Sequence, residues 1–169
     1  AKHRKAPGSP ELAARALRAL AASKGAAIHP TLLEAVLHPD ARVRLVAADL
    51  LPYADAFTPE IEAAVRGLLA DESATIRQVT AMRAGAARRV GLVASLIPLL
   101  ADPRLRTRHV AAVALEAATG QKLGHDPKAW AAWLAKQDPG KPVDLTFPTY
   151  HGVSIQTDRV VFLVDASSS

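Results

Sequence analysis

Three stretches of this chain superimpose without gaps. Leu37–Ala48 reads LHPDARVRLVAA, Ala70–Ala81 reads ADESATIRQVTA, and Ala101–Ala112 reads ADPRLRTRHVAA. Arg44, Arg77 and Arg108 share one column, 33 and 31 residues apart. Val46, Val79 and Val110 follow at +2, and Ala48, Ala81 and Ala112 at +4. Each block follows an apolar stretch of helical period, at 31–37, 59–70 and 90–100. The unit this predicts is a helix, a short Asp/Pro turn and a second helix. Residues 10–20 read as the second helix of an incomplete earlier unit.

A two-helix unit of this size cannot bury its apolar face alone, so neighbouring units must stack and share a core. The composition suits close stacking. Alanine fills 36 of 169 positions and aromatics only 4%. Alanine is the best helix former, and its small side chain lets helices approach. The same composition argues against a β-sandwich or barrel, which would use more β-branched and aromatic residues. The expected fold class is all-α, an α-α superhelix. Cysteine is absent, which excludes disulfides, Cys-ligated zinc, iron–sulfur clusters and a thiol nucleophile. No apolar run reaches the 18 residues of a membrane span.

The blocks resemble HEAT repeats, whose familiar form is an Asp-containing turn, Val-Arg, and an Ala-rich second helix. The likeness covers about residues 10–118 and is fullest in HPDARVRLVAADLL. The second block has Ile76-Arg77 for Val-Arg, and the third has Thr107-Arg108. The turn Asp shifts register: Asp71 and Asp102 align with His38, and Asp40 stands two places later.

The aligned arginines admit two readings. In one, Arg44, Arg77 and Arg108, with Asp40, Asp71 and Asp102, form a structural ladder between units, as is usual in HEAT arrays. In the other they form an anion-binding stripe. Positions off the ladder offer a basic surface as well: Arg88 and Arg89 in a loop, and Arg104, Arg106 and Arg108 with His109 around the third turn. Charge is uneven: residues 1–137 carry 19 Lys/Arg against 12 Asp/Glu, and residues 138–169 carry 2 against 4. A basic excess permits nucleic-acid or acidic-partner binding without requiring it.

The array is expected to end in a cap. Gly120 suits a helix C-terminus, and Asp126-Pro127 reads as an N-cap followed by a first helical position. The helix this opens carries Trp130 and Trp133, three apart on one face, and stops near Asp138-Pro139-Gly140. Those tryptophans suit the closing of an open apolar end. The string TGQ…G.DP..W..W resembles a segment that closes HEAT arrays in large bacterial multidomain proteins.

Beyond residue 138 the character changes. Residues 138–157 read as an extended linker. Val160-Val161-Phe162-Leu163-Val164 is a continuous apolar run of the kind a buried parallel strand needs, and Asp165-Ala166-Ser167-Ser168-Ser169 follows it. The strand and Asp-x-Ser-x-Ser together resemble the opening of a von Willebrand factor type A domain, here residues 158–169. The resemblance implies a metal-ion-dependent adhesion site. Ser167 and Ser169 would ligate Mg²⁺ or Mn²⁺ directly, Asp165 would act through water, and a sixth position would await a partner's carboxylate. The family's remaining Thr and Asp ligands would lie past Ser169. Only a longer protein is therefore expected to hold Mg²⁺ or Mn²⁺, and this chain alone is expected to hold none tightly.

No enzymatic site is expected. The chain has no Gly-rich phosphate loop, no His-Glu-x-x-His and no Gly-x-Ser-x-Gly, and His3, His29, His38, His109, His125 and His151 lack ligand spacing. The start, Ala1-Lys2-His3-Arg4-Lys5, has neither an initiator Met nor an apolar run, and residues 1–9 read as a disordered basic tail. A removed signal peptide and an excised segment both fit that start. The domain plan is a basic tail, a helical array over 10–137, a linker and the start of a type A domain. The expected function is a protein-binding scaffold. Two alternatives are nucleic-acid binding through Arg88, Arg89, Arg104, Arg106 and Arg108 on one concave face, and a regulatory part of an enzyme whose catalytic residues lie beyond Ser169. Partner identity, compartment and oligomeric state do not follow from the sequence.

Overall fold

A computed structural model of the protein describes residues 10–24, 29–51, 57–137, 149–150 and 153–154. These residues are mostly helical. The α-helices are α1 (Pro10–Lys24), α2 (His29–Val36), α3 (Ala41–Leu50), α4 (Pro59–Leu69), α5 (Ala74–Ala86), α6 (Val93–Leu96), α7 (Leu105–Thr119) and α8 (Pro127–Leu134). Among the described residues no helix is long and apolar enough to cross a membrane. Within the stretch expected as an extended linker, Thr149–Tyr150 pairs antiparallel with Val153–Ser154.

Local chemistry sets the helix ends. Asp40, Thr58 and Asp126 precede α3, α4 and α8, and their side chains accept the N–H groups of Arg42, Ile61 and Lys128. Such caps satisfy donors that the first helical turn leaves unpaired. In α4, Glu60 and Glu62 lie in the first turn and Arg66 in the last, each matching the helix dipole. Gly120 ends α7 in the left-handed conformation, with φ of 72°. The stretch expected as a single helix over 90–100 is broken. Val90–Leu92 and Ile97–Ala101 are 3₁₀ turns on either side of the four-residue α6. Pro98 explains the second break: it has no N–H to give, and its ring crowds the carbonyl four residues back.

The helices form two rows. In one, α1 packs on α3, α3 on α5, and α5 on α7. In the other, α2 packs on α4, α4 on α6, and α6 with the following 3₁₀ turn on α8. Within the first row α5 and α7 run parallel. Gln78 hydrogen-bonds Thr107, and Gly85, seven residues on, lies against Ala114, also seven residues on. Helices α3 and α5 run parallel too, since Arg44 meets Asp71 and Asp49 meets Arg83. The core lies between the rows. Val46, Ala47, Ala48 and Leu51 join Ile61, Val65, Leu68, Ile76, Ala81, Leu92, Leu96, Ala111 and Leu115 in one buried cluster.

Close approach within the first row depends on one glycine. A Cβ on Gly85 would stand 2.6 Å from Ala114 Cα and 2.7 Å from its carbonyl oxygen. Backbone cannot swing aside as a side chain does, so Gly85→Ala must spread α5 from α7. The expected cost is about 1–3 kcal/mol, even after the gain in helix propensity. Gly67 is helical as well, but a Cβ there meets nothing within 4 Å. Gly67→Ala is therefore expected to stabilise the chain by about 0.5–1 kcal/mol. Denaturant melts of the two variants check the opposite signs of one chemical change. Equal signs would refute the described packing.

Candidate functional site

The three turns that precede α3, α5 and α7 share one construction. Arg44 Nη1 donates to the carbonyls of His38 and Pro39, both at 3.0 Å. Arg77 Nη1 donates to those of Asp71 and Glu72, at 2.7 and 3.1 Å. Arg108 Nη1 donates to those of Asp102 and Pro103, at 2.8 and 3.4 Å. Each arginine thus bridges back six and five residues and ties the turn to its own helix. The opening residue of each turn also accepts the N–H two residues on. Asp71 accepts from Ser73, Asp102 from Arg104, and His38 accepts from Asp40 through Nδ1.

The other edge of the guanidinium reaches the next unit. Arg44 Nε lies 2.8 Å from Asp71 Oδ2, and its Nη2 lies 3.1 Å from Asp71 Oδ1 and from Glu72 Oε1. Arg77 Nε lies 2.8 Å from Asp102 Oδ2, and its Nη2 lies 2.7 Å from the same oxygen. These side chains are 10% and 8% exposed in the first pair, and 14% and 6% in the second. Arg44 and Asp71 fit each other as fork to fork, while both Arg77 donors converge on one oxygen of Asp102. Asp40 does not join this ladder. It pairs with Arg42, two residues on, at the surface of its own turn. His38 occupies the place that Asp71 and Asp102 hold in their units, and Asp40 lies two residues past it.

The pairing shows in the titration of the carboxylates. Burial pushes the Asp71 carboxyl up. The Arg44 hydrogen bonds, the Ser73 N–H and the charges of Arg44 and Arg77 more than offset this, so it sits below the ordinary range. Burial likewise pushes Asp102 up, and the Arg104 N–H, Arg77 and Thr107 more than offset this, so it too sits below the ordinary range. The side chain of Arg42, then its N–H, lowers Asp40 to about 2. Where the folded value lies below the unfolded one, the stabilisation is complete above the unfolded value. It is lost as pH falls through the folded value. The contribution of these carboxylates is thus expected to be complete at about pH 5 and above and to fall below about pH 4. Thermal melts across that range check it. The Asp71→Asn, Asp102→Asn double variant should show a flatter acid limb, and an unchanged limb would clear these two carboxylates.

The five arginines grouped on one concave face in the sequence reading do not sit together. Arg88 and Arg89 follow the C-terminal end of α5, whereas Arg104, Arg106 and Arg108 lie at the N-terminal end of α7. Because α5 and α7 run parallel, these are opposite ends of the pair, about 15 Å apart by helical rise. The reason is topological: the chain returns through α6 before α7 begins. Arg88 has φ of 52° and closes α5 in the left-handed conformation. Arg89 places its guanidinium 4.3 Å from the Phe57 ring centroid. Arg104 and Arg106 are exposed.

Helix α8 seats its tryptophans differently from each other. Trp130 is fully buried, and its indole Nε1 donates to the Gly124 carbonyl at 2.8 Å. Trp133 meets it edge to face, with centroids 6.1 Å apart, and is partly exposed. Just before α8, His125 stacks on His109 of α7 with centroids 5.8 Å apart. Nothing in the spacing of these two histidines announces the ring pair. Among the described residues, no group of three or more His, Asp or Glu is placed to hold a metal ion. Asp165, Ser167, Ser169 and the run 160–164 lie outside the described residues, as does the basic stretch 1–9. No protein-family model, curated protein or solved structure matches this chain.

Proposed function

We propose that residues 10–137 form a short HEAT-like solenoid that serves as a protein-interaction scaffold. The observation that carries this reading is the repeated use of Arg44 and Arg77. Each is anchored on its own turn and bonded to the carboxylate of the next. Buried cations held this way join units and are closed to a ligand. Exposed apolar side chains are left for recognition: Met82 on α5 and Val113 on α7 are exposed at 49% and 51%. Large apolar side chains held in water on a rigid helix face suit a protein partner. The separation of Arg88 and Arg89 from Arg104, Arg106 and Arg108 weighs against a single nucleic-acid stripe.

In this reading the chain leads into a type A-like domain that opens near residue 158. Asp165, Ser167 and Ser169 are then the first ligands of a Mg²⁺ or Mn²⁺ site, proposed on the sequence alone. Such an ion would offer an open position to a partner's carboxylate. The test is photocrosslinking in the cells that make the protein, from a benzophenone side chain at Met82 or at Val113. Adducts that a protease destroys and a nuclease spares are expected. Adducts that a nuclease destroys would overturn the reading.

A further inference from the structure

The ladder has three arginines and two carboxylates. Arg44 has Asp71 and Arg77 has Asp102, each on the Nε and Nη2 edge. Arg108 is held by the same two turn carbonyls, five and six residues back. No carboxylate among the described residues meets its remaining edge. Among the described residues the row of parallel helices also stops here. Helix α8 packs on α6 and on the Ile97–Ala101 turn, in the other row. Nothing described follows α7 as α7 follows α5.

The edge left open is apolar and basic. Leu105, His109 and Val113 recur every four residues and so share one face of α7. Leu105 is 70% exposed and Val113 51%. Arg104, Arg106 and His109 are exposed beside them, with Glu116 the one carboxylate on α7 itself. His125 of the connector stacks on His109 at this edge, and Asp126 after it caps α8.

We propose that this edge of α7 is a docking site for an acidic, amphipathic helix of a partner protein. An aspartate in the turn opening that helix takes the Nε and Nη2 edge of Arg108. The two completed rungs describe the occupant's chemistry: a turn aspartate that accepts its own N–H two residues on, then a helix with small residues facing α7. Charge complementarity favours an acidic segment, and Leu105 and Val113 supply apolar area to cover. The proposal rests on the scaffold reading and names the kind of partner.

The probe is a synthetic peptide of residues 70–87 with Arg83→Glu, which carries Asp71 and Glu72 ahead of a helix, keeps Arg77 to hold its turn and is acidic overall. It is titrated into the full ¹⁵N-labelled chain and followed by NMR. Saturable shifts at Leu105, Arg108, His109 and Val113 are expected, with Kd on the order of 0.1–1 mM. Arg108→Gln in the chain, and Asp71→Asn in the peptide, should each weaken binding about tenfold. Val113→Glu, at an exposed position that leaves the fold intact, should weaken it as well. The absence of shifts at 1 mM peptide would overturn the proposal. So would shifts centred on Arg44, which mean exchange into the native α5 seat, or shifts indifferent to Arg108→Gln. Self-association of the chain alone through these residues would make a second copy the occupant and also overturn it. Any of these results leaves the photocrosslinking test of the scaffold reading standing, so the two fail separately.

Discussion

Trp130→Ala is expected to destabilise the chain by about 3–5 kcal/mol, the range for removing a large buried ring. Trp130 is the largest of the fully buried side chains. It sits at the far end of the second helical row, where α8 covers α6 and the turn Ile97–Ala101. Removing the indole opens a cavity against the core, and the short α8 has little else to hold it there. The ring has a polar task too, since its Nε1 satisfies the Gly124 carbonyl. Trp130→Phe separates the two contributions. It keeps most of the apolar volume and leaves that carbonyl without its donor, for an expected loss of about 1–3 kcal/mol. Urea unfolding followed by circular dichroism measures both. A loss below 1 kcal/mol for the alanine variant would show that α8 does not close the core.

Arg44→Ala is expected to cost a similar amount, about 3–5 kcal/mol, for a different reason. The side chain joins four partners: the carbonyls of His38 and Pro39, the Asp71 carboxylate and Glu72. Asp71 is 8% exposed, so without Arg44 it stays charged, buried and poorly compensated. That loss is the penalty of breaking the pair, which differs from the pair's net worth. Replacing both members, as Arg44→Met with Asp71→Leu, should recover part of that loss and not all of it, because the His38 and Pro39 carbonyls lose their donor and the Ser73 N–H its acceptor. The surface pair Arg66–Glu62 on α4, at 53% and 28% exposure, gives the contrast. Arg66→Ala should change stability by about 0.5 kcal/mol or less. Chemical denaturation of the three variants ranks them, and the ranking depends on burial rather than on the number of ion pairs.

Much of this architecture is legible in the residues, because the repeat imposes one rule three times. The column of Arg44, Arg77 and Arg108 shows from spacing alone, and each arginine lies on the carbonyls six and five positions earlier. Asp126-Pro127 and Gly120 likewise mark ends that local chemistry sets. What escaped the sequence depends on geometry between distant residues. His38 replaces a turn aspartate by offering an imidazole nitrogen to the same N–H, an equivalence of hydrogen bonding that residue similarity hides. That substitution drew Asp40 into the ladder on paper, whereas its carboxylate serves Arg42. The grouping of Arg88 and Arg89 with Arg104, Arg106 and Arg108 failed because closeness in sequence says nothing of which helix end a turn occupies. The unmatched edge of Arg108 required seeing two completed rungs first.

The central claim is that buried Arg–Asp bonds join successive helical units. A double-mutant cycle on Arg44 and Asp71 tests it most directly, with Arg66 and Glu62 as the reference cycle. Each cycle compares the two single variants with the double, using alanine throughout. The account predicts a coupling of about 2–3 kcal/mol across Arg44 and Asp71, and about 0–0.5 kcal/mol across Arg66 and Glu62. Additive effects at Arg44 and Asp71, within about 0.5 kcal/mol, would contradict it and leave the rungs as neighbours that do not hold the units together.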